Sequence, residues 1–288
     1  MANKTKGSVV ITGASSGIGE ACALRLARGG YAVFAGVRKD SDGVALKQKS
    51  SAVIPVMIDV TDAASIASAA ATVSAAVGAE GLVGLVNNAG VVFPGPLEFI
   101  ELDDLRKQLE INVIGQIAVT QAFLPLIREG KGRIVNIGSI GGRMATPLLG
   151  PYNASKFAME ALTDSLRQEL RPWGIAVSIV EPGAIATRIW DKGQSTADVL
   201  EAKLPPQARE LYGAAIAAIR RVSQKSAQSA IPADAVAKVV EHALTARRPK
   251  TRYIVGFEAH MQAIIARVVP DRLRDRLVAR FMGMPKSA

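Results

Sequence analysis

The chain predicts an α/β fold: one doubly wound parallel sheet of seven strands with helices on both faces. Short apolar, β-branched runs alternate along it with longer Ala-rich stretches of helical period. The runs are nearly continuously apolar, as strands buried on both faces must be. Neither a linker nor an internal repeat interrupts the 288 residues, so 1–288 reads as one domain, although cores near this length often divide.

The elements follow in order. Residues 8–12 form the first apolar run and lead directly into Thr12-Gly13-Ala14-Ser15-Ser16-Gly17-Ile18-Gly19, with a helical stretch over 17–28. The second run, 32–36, ends in Val37-Arg38-Lys39. The third, 53–58, is followed by Asp59-Val60 and an Ala-rich helix over 62–77. The fourth, 82–86, runs into Asn87-Asn88-Ala89-Gly90, and a helix is expected over 102–128. The fifth, 132–137, closes near Ser139 before a helix over 153–171. The sixth, 176–180, reaches Pro182-Gly183; a helix over 232–246 and a strand over 253–255 complete the sheet.

Two segments break the rhythm. Residues 184–228 make a long excursion, which late in an α/β chain reads as a substrate lid. The second is a C-terminal helical extension, 258–288. Beyond Pro270, Leu273, Leu277, Val278 and Phe281 share one helical face, while Arg272, Arg276 and Arg280 recur on another. Such a helix either packs on the body or a neighbouring subunit, or makes peripheral membrane contact through its basic amphipathic surface.

Composition narrows the chemistry. A single cysteine, Cys22, excludes an internal disulfide and a Cys-based metal cluster. His242 and His260 suit neither a zinc site nor a Ser-His triad, so no metal is expected. The formal net charge of +10 attracts an anionic cofactor. No Lys/Arg run interleaved with aromatics appears, which argues against nucleic-acid binding. The N-terminus lacks the long apolar core of a signal peptide, and no apolar run reaches the ~18 residues that cross a bilayer. A soluble cytoplasmic protein is expected.

The glycine-rich turn carries the first chemical signal. Glycines between a first strand and a first helix let the backbone approach a pyrophosphate, and the helix N-terminus offers unpaired N–H groups and the positive end of its dipole. A second signal is Tyr152-x-x-x-Lys156, a phenol and an ammonium four residues apart on a helix, hence on nearly the same face.

With these motifs the sequence resembles the short-chain dehydrogenase/reductase family. The family's TGxxxGIG is met at Thr12–Gly19 and its NNAG at 87–90. An Asn-Val-x-Gly stretch lies at 112–115, a serine at Ser139, the Tyr/Lys pair at 152 and 156, and Pro-Gly at 182–183 with Thr187 beyond. The Val37-Arg38 turn and the long C-terminus look like the hydroxysteroid/retinol-dehydrogenase branch. The resemblance implies a Rossmann-type fold and hydride exchange between a nicotinamide and a hydroxyl/carbonyl pair. A non-catalytic NADP(H)-sensing regulator is the alternative.

The resemblance also assigns roles. Tyr152 is the general acid/base. A cation ~4 Å away at an effective dielectric of ~20 is worth roughly 4 kcal/mol, about three pKa units, so Lys156 is expected to draw the phenol toward neutrality. Ser139 steadies the substrate oxygen, and Asn112 anchors a water in a proton relay; the alternatives are a strand-end turn residue for Ser139, a helix-kink hydrogen-bonder for Asn112 and an amphipathic pair for Tyr152 and Lys156. Cofactor contacts fall to Gly13, Ser15, Ser16, Gly17, Ile18, Gly19, Asn88, Ala89, Gly90, Pro182, Gly183, Ile185 and Thr187, together with Tyr152 and Lys156. Asp59 and Val60 match the family's adenine-contacting pair, although Asp59 alternatively begins a turn before a Thr61 helix cap. Val37 stands where an acid commonly selects NAD, and Arg38 follows it. A guanidinium matches a 2′-phosphate, so NADP(H) is favoured over NAD(H), which is not excluded.

Phe93, Met144, Leu148, Leu149, Ile189, Trp190 and Leu200 either line a pocket for a lipophilic alcohol or ketone, steroid-, retinoid- or acyl-like, or belong in several cases to the core. Arg143 either binds an acidic group or lies on the surface. Ala154, Ala158, Ala161 and Ser165 form a small-residue stripe that pairs across a homodimer or homotetramer, or packs on the chain's own sheet.

Overall fold

The computed structural model describes residues 5–187 and 197–284. Its strands and helices, in order, are β1 (Ser8–Ile11), α1 (Gly17–Arg28), β2 (Ala32–Val37), α2 (Asp40–Lys49), β3 (Val53–Met57), α3 (Ala63–Val77), β4 (Gly84–Asn87), α4 (Leu102–Leu109), α5 (Gly115–Glu129), β5 (Arg133–Ile137), α6 (Gly150–Glu169) and β6 (Ala176–Pro182). There follow β7 (Ile185–Ala186), α7 (Pro206–Gln228), β8 (Ile231–Pro232), α8 (Ala233–Thr245), β9 (Arg252–Val255), α9 (Phe257–Val268) and α10 (Asp271–Met282).

All seven expected strands pair in parallel, in the order β3-β2-β1-β4-β5-β6-β9. The order reverses between β1 and β4, which opens a crevice at their carboxyl ends where open α/β sheets bind ligands. On one face Cys22, Ala23 and Leu26 of α1 and Val236 and Val240 of α8 pack against the strands. On the other, Ile66 and Val73 of α3 meet Val119, Phe123 and Ile127 of α5. Each fully buried aliphatic side chain contributes ~1.5–3 kcal/mol.

Four features depart from the sequence expectations. Helix α2 was not expected; its DSDGVALKQK buries only Gly43 and Leu46, too little apolar surface to leave a periodic trace. The expected helix over 102–128 is two helices joined through a π-helical segment, Glu110–Ile114. The excursion after β6 holds a long helix, α7, and a two-residue parallel pairing of β7 with β8. Helix α10 is seated by Met282, and its Arg274 donates to the Ala266 carbonyl at 3.3 Å. Leu273, Leu277 and Phe281 remain exposed at 49%, 43% and 70%, so that face does not pack on the body.

The helical stretches 63–80 and 102–129 are long and apolar enough to cross a membrane by length and composition. Both lie along the sheet, through Ile66, Ala69 and Val73 and through Val119, Phe123 and Ile127 respectively.

Candidate active site

The cleft begins at the glycine-rich turn after β1. Gly13 and Gly17 adopt φ of +63° and +61°, which side chains with a Cβ rarely do. A Cβ on Gly13 would sit 2.8 Å from the Ala89 Cα, and one on Gly19 would collide with the Gly13 carbonyl. Thr12, wholly buried, accepts the Asn88 and Ala89 backbone N–H groups on its hydroxyl at 2.9 and 3.0 Å. Asn88 Nδ2 returns bonds to the Thr12 and Gly13 carbonyls at 2.9 and 3.1 Å. The turns after β1 and β4 are thereby joined across the switch point. Ser16 stands at the N-cap of α1 without a side-chain cap, beside Ser15 and partly buried Ile18. This bare backbone cradle at a helix N-terminus fits a dinucleotide pyrophosphate.

Arg38 is exposed at the end of β2. Asp59 Oδ1 accepts from Thr61 N at 3.0 Å and from the Thr61 hydroxyl at 2.8 Å, and Asp59 N donates to Ser65 Oγ at 2.9 Å. The Thr61 N–H holds its carboxyl below the ordinary range against partial burial, with the Thr61 hydroxyl and the Arg38 charge adding to the effect. The N-cap of α3 is Asp62, which accepts from Ala64 N at 2.8 Å; the expected Thr61 cap is corrected to it. Val60 is buried, with its carbonyl packed against Gly115.

Helix α6 carries the acid/base pair. Lys156 is buried, and its Nζ donates to the Ile137 carbonyl at 2.8 Å while lying 5.8 Å from the Tyr152 ring centroid. Ser139 caps the turn after β5, accepting from Gly141 N at 3.1 Å. Asn153 staples that turn to α6: Nδ2 donates to the Gly141 carbonyl at 2.9 Å and Oδ1 accepts from Thr146 N at 3.1 Å. Burial pushes the Tyr152 phenol up, and its hydrogen bond with Ser139 pulls the other way. Burial also lowers Lys156 to about 8, opposed by the charge of Glu160. The expected drop of the phenol toward neutrality is therefore corrected: burial outweighs the Ser139 hydrogen bond, and the phenol lies above its ordinary value with Lys156 Nζ 5.8 Å from its ring centroid.

Asn112 sits in the π segment. Its Oδ1 accepts from Val91 N at 2.8 Å, and its Nδ2 donates to the Val91 carbonyl at 3.0 Å and to Ser155 Oγ at 3.1 Å. Ser155 in turn donates to the Tyr152 carbonyl at 2.7 Å. The carboxamide thus links the loop after β4 to the catalytic helix. Gly90 lies alongside, with space for a Cβ 3.4 Å from Asn112 Oδ1.

At the far side β6 ends in Pro182, and Gly183 N donates to the Val255 carbonyl at 3.0 Å. Thr187 returns to the glycine-rich turn, 3.0 Å from where a Gly17 Cβ would lie. The Ile185 side chain belongs to the core. Phe93, Met144, Leu148, Leu149 and Leu200 are partly buried. Ile189 and Trp190 lie outside the described residues. Arg143 serves neither expected role; it ion-pairs with Glu181, which is fully buried. Ala154, Ala161 and Ser165 are exposed, so the small-residue stripe does not pack on the chain's own sheet.

Several supporting residues escape the sequence. Gln108, Gln116 and Thr120 recur with Asn112 every fourth residue, and Gln108, Asn112 and Gln116 bind the backbone of the loop after β4 through Val91, Phe93 and Ala89. Amides at that spacing on a buried helix face were the available signal. Beneath the cleft, Asn87 Nδ2 donates to Thr120 Oγ1 and Asn136 Oδ1 at 2.8 and 2.9 Å, and Asn136 Nδ2 to Thr163 Oγ1 at 2.8 Å. No group of three or more potential metal ligands occurs among the described residues.

A parallel sheet with a nucleotide cradle at its switch point and a Ser/Tyr/Lys set opposite defines a nicotinamide-dependent oxidoreductase. The short chain dehydrogenase family pattern matches residues 7–198, and the chain belongs to that family. It is 41% identical to a 3-amino-tetrahydro-pyrrolizinone reductase of Xenorhabdus hominickii, over 88% of each chain. It is 38% identical to retinol dehydrogenase 5 of Mus musculus, over 96% of this chain and 89% of the relative. An NADPH-dependent 3-dehydrocapnine reductase of Ornithobacterium rhinotracheale is 36% identical over 93% and 94%.

Among solved structures, a short chain dehydrogenase of Burkholderia cenocepacia with NADP superposes at TM-score 0.71, 27% identical, over 95% of this chain and 98% of that one. A Burkholderia phymatum member with NAD gives TM-score 0.76, 28% identical, over 96% of both. The chain stands in the retinol/hydroxysteroid branch, and it is an oxidoreductase acting on a hydroxyl/carbonyl pair. The non-catalytic sensor reading finds no support in these relatives, whose names are those of dehydrogenases and reductases.

Proposed function

We propose that this protein interconverts a lipophilic secondary or primary alcohol and its carbonyl compound with NADP(H), using Tyr152 as the proton donor and acceptor. The observation that carries the reading is the convergence of Ser139, Tyr152 and Lys156 from β5 and α6, with the bare glycine turn and Thr187 across the same cleft. When bound, the nicotinamide supplies or accepts the hydride. The Tyr152 hydroxyl moves the proton at the substrate oxygen, and Ser139 donates a hydrogen bond to that oxygen as charge develops. Buried Lys156 would hold the nicotinamide ribose, and it places a positive charge beside the phenol. Asn112 and Asn153 keep α6 in register with the loops around it.

Two features support NADP(H). Arg38 stands exposed just after Val37, the position where an acid would repel a 2′-phosphate, and its charge already acts on Asp59. The NADP-bound neighbour and the NADPH-dependent relative agree; the NAD-bound neighbour shows the fold takes either. The retinol-acting relative and the partly buried Phe93, Met144, Leu148 and Leu149 support a lipophilic substrate. The exposed stripe on α6, beside a groove of about 530 Å³ lined by Leu124, Leu166 and Trp173, supports a homodimer or homotetramer.

A panel of lipophilic alcohols and ketones, assayed with NADPH and NADH side by side, tests this reading. Turnover with a marked NADPH preference, reduced ~10-fold or more by Arg38→Ala, is expected. Equal use of both cofactors by the wild type removes Arg38 from the account.

A further inference from the structure

The buried charges behind Lys156 carry an inference that rests on the acid/base reading above. We propose that Glu160 is a positioning residue for catalysis. Its carboxylate, one helical turn beyond Lys156, keeps the lysine cationic and so sets the pH at which Tyr152 exchanges its proton.

Four segments converge on Glu160. On its own helix, Lys156 lies four residues before it and Asp164 four after. From β9, Arg252 Nε donates to Glu160 Oε2 at 3.0 Å and Nη2 to Asp164 Oδ2 at 2.6 Å; Arg167 pairs with Asp164 at 2.7 Å. From β6, Glu181 lies 3.7 Å from Arg252 Nε. From the turn after Ser139, Arg143 Nη2 donates to Glu181 Oε1 at 2.8 Å. Gly142 of that turn closes over the cluster; a Cβ there would meet the Lys156 carbonyl at 2.9 Å and Glu160 Cγ at 3.3 Å. Glu160 Oε1 is buried without a hydrogen-bond partner among the described residues.

Mere fastening does not explain this arrangement. Apolar residues of similar volume hold segments together as well as buried ion pairs, and often better. The charge is useful because of what lies beside it. Burial raises Glu160 to about 7, with Glu181 adding to the rise and Arg252 and Arg143 opposing it. Lys156 is lowered to about 8 by burial, and the Glu160 charge is what opposes that fall. Loss of the Glu160 charge therefore lowers Lys156 further. The cation beside Tyr152 is then lost at a lower pH, and the phenol gives up its proton only at a higher one.

The test compares pH profiles of alcohol oxidation, the direction that needs ionised Tyr152, for wild type, Glu160→Gln and Glu160→Asp. Gln keeps the acceptor facing Arg252 and removes the charge; its midpoint is expected to move up by ~0.5 pH unit or more, and Asp to return it toward wild type. A uniform fall in rate with no change of midpoint in Gln overturns the proposal. Should Glu160→Gln fail to fold, nuclear magnetic resonance of 13Cε-lysine in the wild type, assigned with Lys156→Arg, decides the matter without turnover. Lys156 is expected to titrate well below ordinary lysines with a second inflection from Glu160; one ordinary lysine step overturns the coupling. That signature in a protein with no turnover counts against the proposed function and leaves the coupling standing.

Discussion

The two walls of the cleft are held by different physics. On the cradle side the braces of the glycine turn and of the loop after β4 are neutral: Thr12 and Asn88 lock the turn, and Gln108, Asn112 and Gln116 hold the loop. On the catalytic side the neutral Asn153 staple is joined by ionic braces, with Arg143 and Arg252 set against Glu160, Asp164 and Glu181. Neutral hydrogen bonds do not titrate near physiological pH, so the cradle keeps its shape as acidity changes. Of the catalytic-side groups, burial brings Glu160 up to about 7 and Lys156 down to about 8, so this pair lies in the range where acidity changes matter. The contrast separates a wall that must only bind from a wall that must also tune a proton.

Breaking the catalytic wall has the largest expected effect. Lys156→Ala removes both the cation beside Tyr152 and the group proposed to hold the ribose, and turnover is expected to fall ~10³-fold or more. Steady-state rates with saturating NADPH check this, and a near-normal rate removes the lysine from the mechanism. Breaking the cradle wall acts on stability. Thr12→Val leaves the Asn88 and Ala89 N–H groups without their shared acceptor, at a cost of about 1–3 kcal/mol. Denaturant unfolding at mildly acidic and mildly alkaline pH is expected to give the same loss. A loss that varies strongly with pH erases the distinction between the walls.

The cradle and the acid/base pair were legible in the sequence because their chemistry is local. Positive-φ glycines at a strand–helix turn and a Tyr/Lys pair one helical turn apart announce themselves within eight residues. The strands were legible because burial on both faces leaves unbroken apolar runs. What escaped depends on long-range packing. Arg143 read as a surface or ligand-binding charge because its partner, Glu181, lies on another strand. The Asn112 bonds to Val91 and Ser155 were likewise hidden, because only the π segment brings those partners within reach. Tyr152 read as a lowered phenol because a sequence gives the spacing of a cation but not the crowding around the ring.

The most direct measurement is on Tyr152→Phe, assayed for both NADPH binding and turnover. The account predicts wild-type cofactor affinity with a rate ~10³-fold lower, since only the proton-carrying hydroxyl is gone. A variant that binds NADPH normally and still turns over within a few-fold of wild type contradicts it.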